Sequence, residues 1–240
     1  MWLRCRAVGQ YSRRRVDEQP PRIGIIGAGN IGSNCAQQFL KAGHEVRLSF
    51  ARDMQRLQAL ARELGEAASA GNPADAVAIA DVVVVSVPWD AIPEALQQAG
   101  SLAGRIVVDT TNQFGSRDLP REGQTAASFN AARMGGARYT KSFNTLTARF
   151  QEQVASRTGD DRVVQWICGD DADAKRVVSG LIADAGYVPV DLGGTATCHV
   201  MEAPRRAGAV YGEEYRETDA GAVVEAVLAG GPMPPTPVYR

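Results

Sequence analysis

The sequence predicts an α/β fold: a doubly wound parallel sheet with a smaller C-terminal α/β lobe. Three observations carry this. From Arg22 onward, short apolar runs alternate with helical periods, the pattern of βα units in a parallel sheet. Asp81-Val82-Val83-Val84-Val85-Ser86-Val87 is an almost unbroken apolar run, as expected of a strand covered on both faces. Gly27-Ala28-Gly29-Asn30-Ile31-Gly32 joins the first apolar run to the first helical period, which is where a sheet of this kind carries a glycine-rich turn.

Residues 22–26 read as the first strand. Residues 31–42 have a helical period, with Ile31, Cys35, Phe39 and Ala42 on one face, and Gly43 ends that helix. Residues 45–50 form the second strand. Residues 53–64 form an amphipathic helix through Met54, Leu57, Leu60 and Leu64, closed by Gly65, and Asn72-Pro73 opens a short helix to Ala80. Pro88 stops the valine strand and starts a helix over 89–99. Residues 105–109 are another buried strand. Residues 113–124 are polar loop, 126–134 a helix, 137–143 a strand and 146–156 a helix. A β-α-β unit follows, with strands 163–168 and 187–191 around a helix 171–185. Residues 195–230 read as mostly helical. The last stretch, 230–240, carries four prolines and is irregular. These divisions give an extension over 1–21, a dinucleotide-binding domain over 22–145, and a substrate and dimerisation lobe over 146–240.

Composition bounds the rest. The 240 residues are 45% hydrophobic and 22% charged, a globular balance. The net charge of −1 supplies no field for nucleic acid or a membrane surface. No apolar run approaches the ~20 residues of a membrane-spanning helix. Cys5, Cys35, Cys168 and Cys198 are widely spaced, read as reduced thiols of a cytoplasmic protein with no metal site. Residues 1–21 hold five arginines and Pro20-Pro21 but no apolar core of the kind a secretory signal requires.

Each glycine of the turn has a task. Gly27 allows the tight turn, Gly29 lets a pyrophosphate approach the backbone, and Gly32 lets the helix pack close to the strand. The helix N-terminus adds free N–H groups and partial positive charge. This is a Rossmann fingerprint. The end of the second strand then selects the nucleotide. An NAD site places an acid there for the ribose 2′-hydroxyl. Here Leu48-Ser49-Phe50-Ala51-Arg52 carries none. Arg52 offers a fork suited to a 2′-phosphate and Ser49 a hydroxyl, so NADP is the expected nucleotide.

The other strand ends supply further candidates. Val87, Pro88 and Trp89 follow one strand; Trp89 either stacks on a ligand ring or caps its helix. Asn112 and Asn144 either orient the nicotinamide amide or close local turns. His44 is read as packing its turn. His199 is a weak candidate acid, with Tyr211 and Tyr215 behind it. Arg205 and Arg206 either hold an anionic tail or form a solvated pair. Asp170, Asp171 and Asp173 start a helix, where acids suit the dipole, and are not read as a metal site.

These residues resemble the NADPH-dependent F420 reductases. The resemblance rests on Ile23 to Gly32, Gly43-His44-Glu45-Val46, Val87 to Ile92, Val107 to Asn112, Lys141 to Thr145, Cys168 to Ala172 and Ala185 to Gly193. It implies hydride exchange between NADP(H) and the deazaflavin coenzyme F420, in a homodimer. Carried over by position, Asn30, Ile31, Ser49, Ala51 and Arg52 line the NADP site with Gly27, Ala28, Gly29 and Gly32. Val87, Pro88, Trp89 and Asn112 lie near the nicotinamide. Phe143, Asn144 and Thr145, with Met201 and Arg205, border the substrate. Residues 201–215 depart from the family pattern. A changed pocket there would take an imine or an enone, and a non-catalytic NADP-sensing protein is the reading from another class.

Overall fold

The structure, a computed structural model, describes residues 19–50 and 52–239. Six strands form the main sheet: β1 (Ile23–Ile26), β2 (Val46–Ser49), β3 (Ala68–Ala70), β4 (Val82–Val85), β5 (Ile106–Asp109) and β6 (Arg138–Lys141). Their order is β3-β2-β1-β4-β5-β6, parallel throughout. The chain starts in the middle, winds outward through β2 and β3, then crosses to β4 and winds the other way. Strand order therefore reverses between β1 and β4, and a ligand crevice opens at that reversal. The valine run explains the centre. Val82, Val83, Val84 and Val85 are all buried between β1 and β5, and burying one such side chain contributes about 1.5–3 kcal/mol.

Helices cover both faces. On one, α1 (Asn30–Lys41) and α2 (Met54–Leu64) pack with α6 (Ala148–Val154) and α7 (Ala172–Asp184) around Phe39, Leu57, Val84, Phe143 and Tyr187. On the other, α3 (Pro73–Ile79), α4 (Ile92–Ala99) and α5 (Ala126–Arg133) pack around Val83, Val85, Trp89 and Val107. Asp53, Asn72, Thr125, Thr147 and Asp171 cap α2, α3, α5, α6 and α7 by accepting from a first-turn amide.

Beyond β6, strands β7 (Val164–Ile167) and β8 (Val188–Asp191) pair in parallel around α7. An antiparallel bridge between Lys141 and Cys168 joins this pair to the main sheet. Trp166 and Ile167 enter the two cores of the large sheet. The sheet thus changes between β6 and β7, within shared cores.

Three expectations are corrected. The strand β3 had no sequence counterpart: its Ala68-Ser69-Ala70 is short, small-residued and only half-buried at the sheet edge. Residues 195–230 are not the largely continuous helix expected. A 3-10 turn over Thr195–Met201 leads into an irregular strap over 202–216, and only α8 (Glu217–Ala229) is a full helix. Nor are the cysteines all thiols. Cys168 and Cys198 form a disulfide with Cα atoms 6.0 Å apart, because the end of β7 lies beneath the 3-10 turn. The thiol argument for a cytoplasmic protein is withdrawn with it. Cys35 is free and buried, its thiol pushed up to about 12 by burial; Cys5 and the rest of residues 1–18 lie outside the described residues. No helix among the described residues is long and apolar enough to cross a membrane.

Candidate functional site

A cleft of about 1100 Å³ opens at the C-terminal ends of β1, β2 and β4. Gly27, Ala28, Gly29 and Asn30 form its floor, with Arg52 on one side and Val87 and Pro88 on another. The three fingerprint glycines differ in what surrounds them. Gly27 has φ +110°, and a Cβ there would strike the Ser86 carbonyl. A Cβ on Gly32 would strike the Gly27 carbonyl, so the helix sits directly on the turn. Gly29 has nothing within 4 Å of an added Cβ; that space faces the cleft. The α1 N-terminus has no side-chain cap and no acid in its first turn. Its free amides and dipole are therefore available to an anion from the cleft. These features fit a dinucleotide's pyrophosphate. Gly29→Ala is expected to keep the wild-type melting temperature and weaken NADPH binding at least about tenfold, because its methyl group fills only ligand space. Gly32→Ala is expected to lower the melting temperature by forcing the turn and helix apart. Thermal unfolding and nucleotide titration of both variants check the contrast.

At the nucleotide-selecting end, Arg52 is exposed on the cleft wall. Arg56, one turn on, lines the same wall. No carboxylate ends β2. Asp53 spends a side-chain oxygen capping α2 through Arg56 N, 3.0 Å away. Phe50 lines the cleft in the left-handed region, φ 56°, a conformation bulky residues adopt only where surroundings enforce it. Sequence reasoning did not single out Phe50 or Arg56 for the site. Ser49 is a different matter. It is fully buried and donates to the Ile25 carbonyl at 2.9 Å, so its hydroxyl braces β2 against β1 and does not reach the cleft. Ala51 lies outside the described residues. Ile31 is half-buried beside the apolar core.

Trp89 does not face the cleft. It is buried, stacks on Phe129 (6.1 Å between centroids, 15°) and lies under the Arg133 guanidinium. Its Nε1 donates to the carbonyls of Arg117 and Asp118. Asp90 accepts from the amides of Ser116 and Arg117, which hold its carboxyl below the usual range. Residues 89 and 90 thus fasten the loop that follows β5. Of the two readings offered for Trp89, neither ring-stacking on a ligand nor simple capping describes this.

The expected substrate pocket is filled by the chain itself. Phe143 is a core residue, edge-on to Phe39 and Tyr187 at 5.9 and 6.1 Å. Asn144 donates to Asn112 Oδ1 (3.1 Å) and the Met201 carbonyl (2.6 Å), and Asn112 donates back to the Asn144 carbonyl (2.8 Å). The Thr145 carbonyl accepts from Gly212 N, 2.8 Å away. Met201 is buried, and Glu202 accepts from the amides of Ala126 and Ala127 at the start of α5. The strap is therefore sealed over the ends of β5 and β6, and the two asparagines neither line the cleft nor close local turns but tie together segments 32 and 57 residues apart. Arg205 is exposed and held by Glu213. Arg206 donates to the Glu202 and His199 carbonyls. The exposed His199 imidazole lies 3.4 Å from the Ala196 carbonyl, and Tyr215 is buried against Trp166. None of these lines the cleft.

Beneath the strap lies a charged network that sequence reasoning missed. Asp109 and Lys141, at the ends of β5 and β6, are both fully buried with Nζ 3.4 Å from Oδ2. Tyr139 Oη (2.6 Å), Asn130 Nδ2 (2.9 Å) and Thr111 N (2.8 Å) also donate to Asp109. Lys141 Nζ donates to the Thr111 carbonyl at 2.6 Å. Burial by itself raises the Asp109 carboxyl, but the Lys141 charge, the Tyr139 hydroxyl and the Asn130 amide outweigh it and hold it below its ordinary value.

Known proteins bear on this site. Residues 22–113 match the family described as NADP oxidoreductase, coenzyme F420-dependent. The chain is similar to the metalloreductase STEAP3 of Rattus norvegicus, 28% identical over 80% of this chain and 38% of that protein. It spans well under half the length of the curated relatives it matches. Among solved structures it is similar to the hypothetical protein SMa0349 of Sinorhizobium meliloti, with 30% identity, TM-score 0.71, and coverage of 82% of this chain and 95% of that one. It is also similar to a protein from Arthrobacter sp. FB24 proposed to be an F420-dependent NADP-reductase, with 26% identity, TM-score 0.64, and coverage of 75% and 87%.

Proposed function

On the match of residues 22–113 to the coenzyme F420-dependent NADP oxidoreductases, we propose that the chain belongs to that family and transfers a hydride between NADPH and the deazaflavin coenzyme F420. The observation that carries this is the cleft, which an open Gly29, an uncapped α1 and an exposed Arg52 line together with Val87 and Pro88. When bound, NADPH supplies the hydride. This chain's residues bind and orient. The Asn30 and Ile31 amides take the pyrophosphate, Arg52 and Arg56 the 2′-phosphate, and Val87 and Pro88 give the nicotinamide an apolar wall. Alignment of donor and acceptor is then the main source of rate. The reading includes a homodimer, checked by sedimentation at twice 25.5 kDa.

The test is NADPH oxidation with and without purified F420. Turnover that needs F420 supports the reading. Tight NADPH binding without F420 turnover overturns it; oxidation by an imine or enone would then reassign the acceptor, and none by any acceptor would leave an NADP-sensing protein.

A further inference from the structure

The sealed ends of β5 and β6 leave a question of where an acceptor can lie. The loop after β5 answers it. Phe114, two residues beyond Asn112, is 71% exposed, yet the loop that follows it is tied down. Ser116 N and Arg117 N donate to Asp90, Trp89 Nε1 donates to the Arg117 and Asp118 carbonyls, and Arg133 Nη2 donates to the Asp118 carbonyl at 2.7 Å. Gly115 lies so close to Trp89 that a Cβ would come within 2.6 Å of its ring. The backbone just after this exposed phenyl ring is thus held by the residues directly after Val87 and Pro88 of the cleft lining. Facing it from the strap is Tyr211, 6.4 Å between centroids with the planes at 61°. The strap is fixed there too, since the next residue, Gly212, donates to the Thr145 carbonyl. The two rings form an open aromatic corner between the strap and the loop that Trp89 and Asp90 hold, the residues directly after Val87 and Pro88 of the cleft lining.

We propose that Phe114 and Tyr211 are the acceptor-side binding residues, a corner that holds a planar, multi-ring hydride acceptor by face and edge. This rests on the reading of the chain as a reductase. It adds which residues receive the acceptor's ring system, and places it outside the sealed strand ends. A flat ring suits the corner because aromatic groups prefer the offset and edge-on arrangements that two rings at this angle provide. On the strap, Arg205 beside Tyr211 is paired with Glu213.

Riboflavin, an uncharged flat ring system, is the probe, titrated into NADP-loaded protein and followed by its fluorescence. Phe114→Ala and Tyr211→Ala are each expected to weaken riboflavin about threefold to tenfold, the size of one aromatic pairing. Phe114→Trp and Tyr211→Phe should bind as wild type, with NADPH affinity and melting temperature unchanged in all four. The proposal is overturned if wild type does not bind riboflavin, or if the alanine variants, folded and binding NADPH normally, bind it within about twofold of wild type. Failure of the two readings is distinguishable. Riboflavin binding lost in Phe114→Ala, without F420 turnover by wild type, sinks the F420 assignment alone. F420 turnover with an unchanged KM in Phe114→Ala sinks the corner alone.

Discussion

Replacing Arg52 with Glu is expected to weaken NADPH binding about 100-fold while leaving NADH nearly untouched. A hydrogen bond to a charged group contributes about 1.5–3 kcal/mol, and each tenfold in affinity is about 1.4 kcal/mol. Loss of the guanidinium therefore accounts for about one to two tenfold steps, and a carboxylate facing a dianionic phosphate adds repulsion. Arg52 is exposed, so the effect shrinks as salt rises past the ~8 Å screening length of physiological buffer. Arg56 on the same wall keeps the loss finite. Arg52→Lys should fall between, because an ammonium keeps the charge and loses the fork. Titrating both nucleotides against the three proteins at two salt concentrations decides it. Equal weakening of NADPH and NADH would place Arg52 elsewhere than at the 2′-phosphate.

What the sequence announced and what it hid follow from the range of the interactions involved. The glycine turn, the valine strand and the Asn72-Pro73 helix start are local: backbone freedom, two-sided burial and capping act within a few residues, and each falls within a residue or two of its expected place. The fate of Trp89 was not local. Its position after Val87-Pro88 suggested the cleft, but its indole is drawn to carbonyls 28 and 29 residues away. Ser49 was misread in the same way: its hydroxyl turns back to the Ile25 carbonyl of β1, and only the pairing of the two strands reveals it. The Cys168–Cys198 bond and the strap over Asn144 depend on residues 30 and 57 positions apart. A segment made of turns, such as 202–216, has no period from which its path can be read. Phe50's left-handed backbone leaves no mark on residue type at all.

The same long-range logic sets the largest expected effect on stability, at Lys141. Lys141→Met should destabilise the protein by about 3–5 kcal/mol, the cost of leaving one member of a buried ion pair without its partner, and lower the melting temperature by roughly 6–20 °C. Asp109 would keep Tyr139, Asn130 and the Thr111 amide, but neutral donors do not replace a cation at zero exposure. The pH dependence separates this cause from simple repacking. In wild type the Asp109 carboxyl titrates below its unfolded value of about 3.9. It therefore adds stability that is present above that value and is lost as pH falls through the folded one. Without Lys141, burial dominates and the folded value rises above the unfolded one, so the charged form is what costs the variant. Its deficit against wild type should be greatest near neutrality and shrink on acidification, as a protonated Asp109 no longer needs the cation. Denaturant melts of both proteins from about pH 7 to pH 4 read this directly; a deficit independent of pH would assign the loss to packing. Replacing both partners together, Asp109→Leu with Lys141→Met, should cost far less than the two single changes summed. Lys141 Nζ also holds the Thr111 carbonyl, three residues before Phe114. Loosening it should raise the KM for the acceptor more than the KM for NADPH, since the pair anchors the acceptor's corner and not the glycine turn.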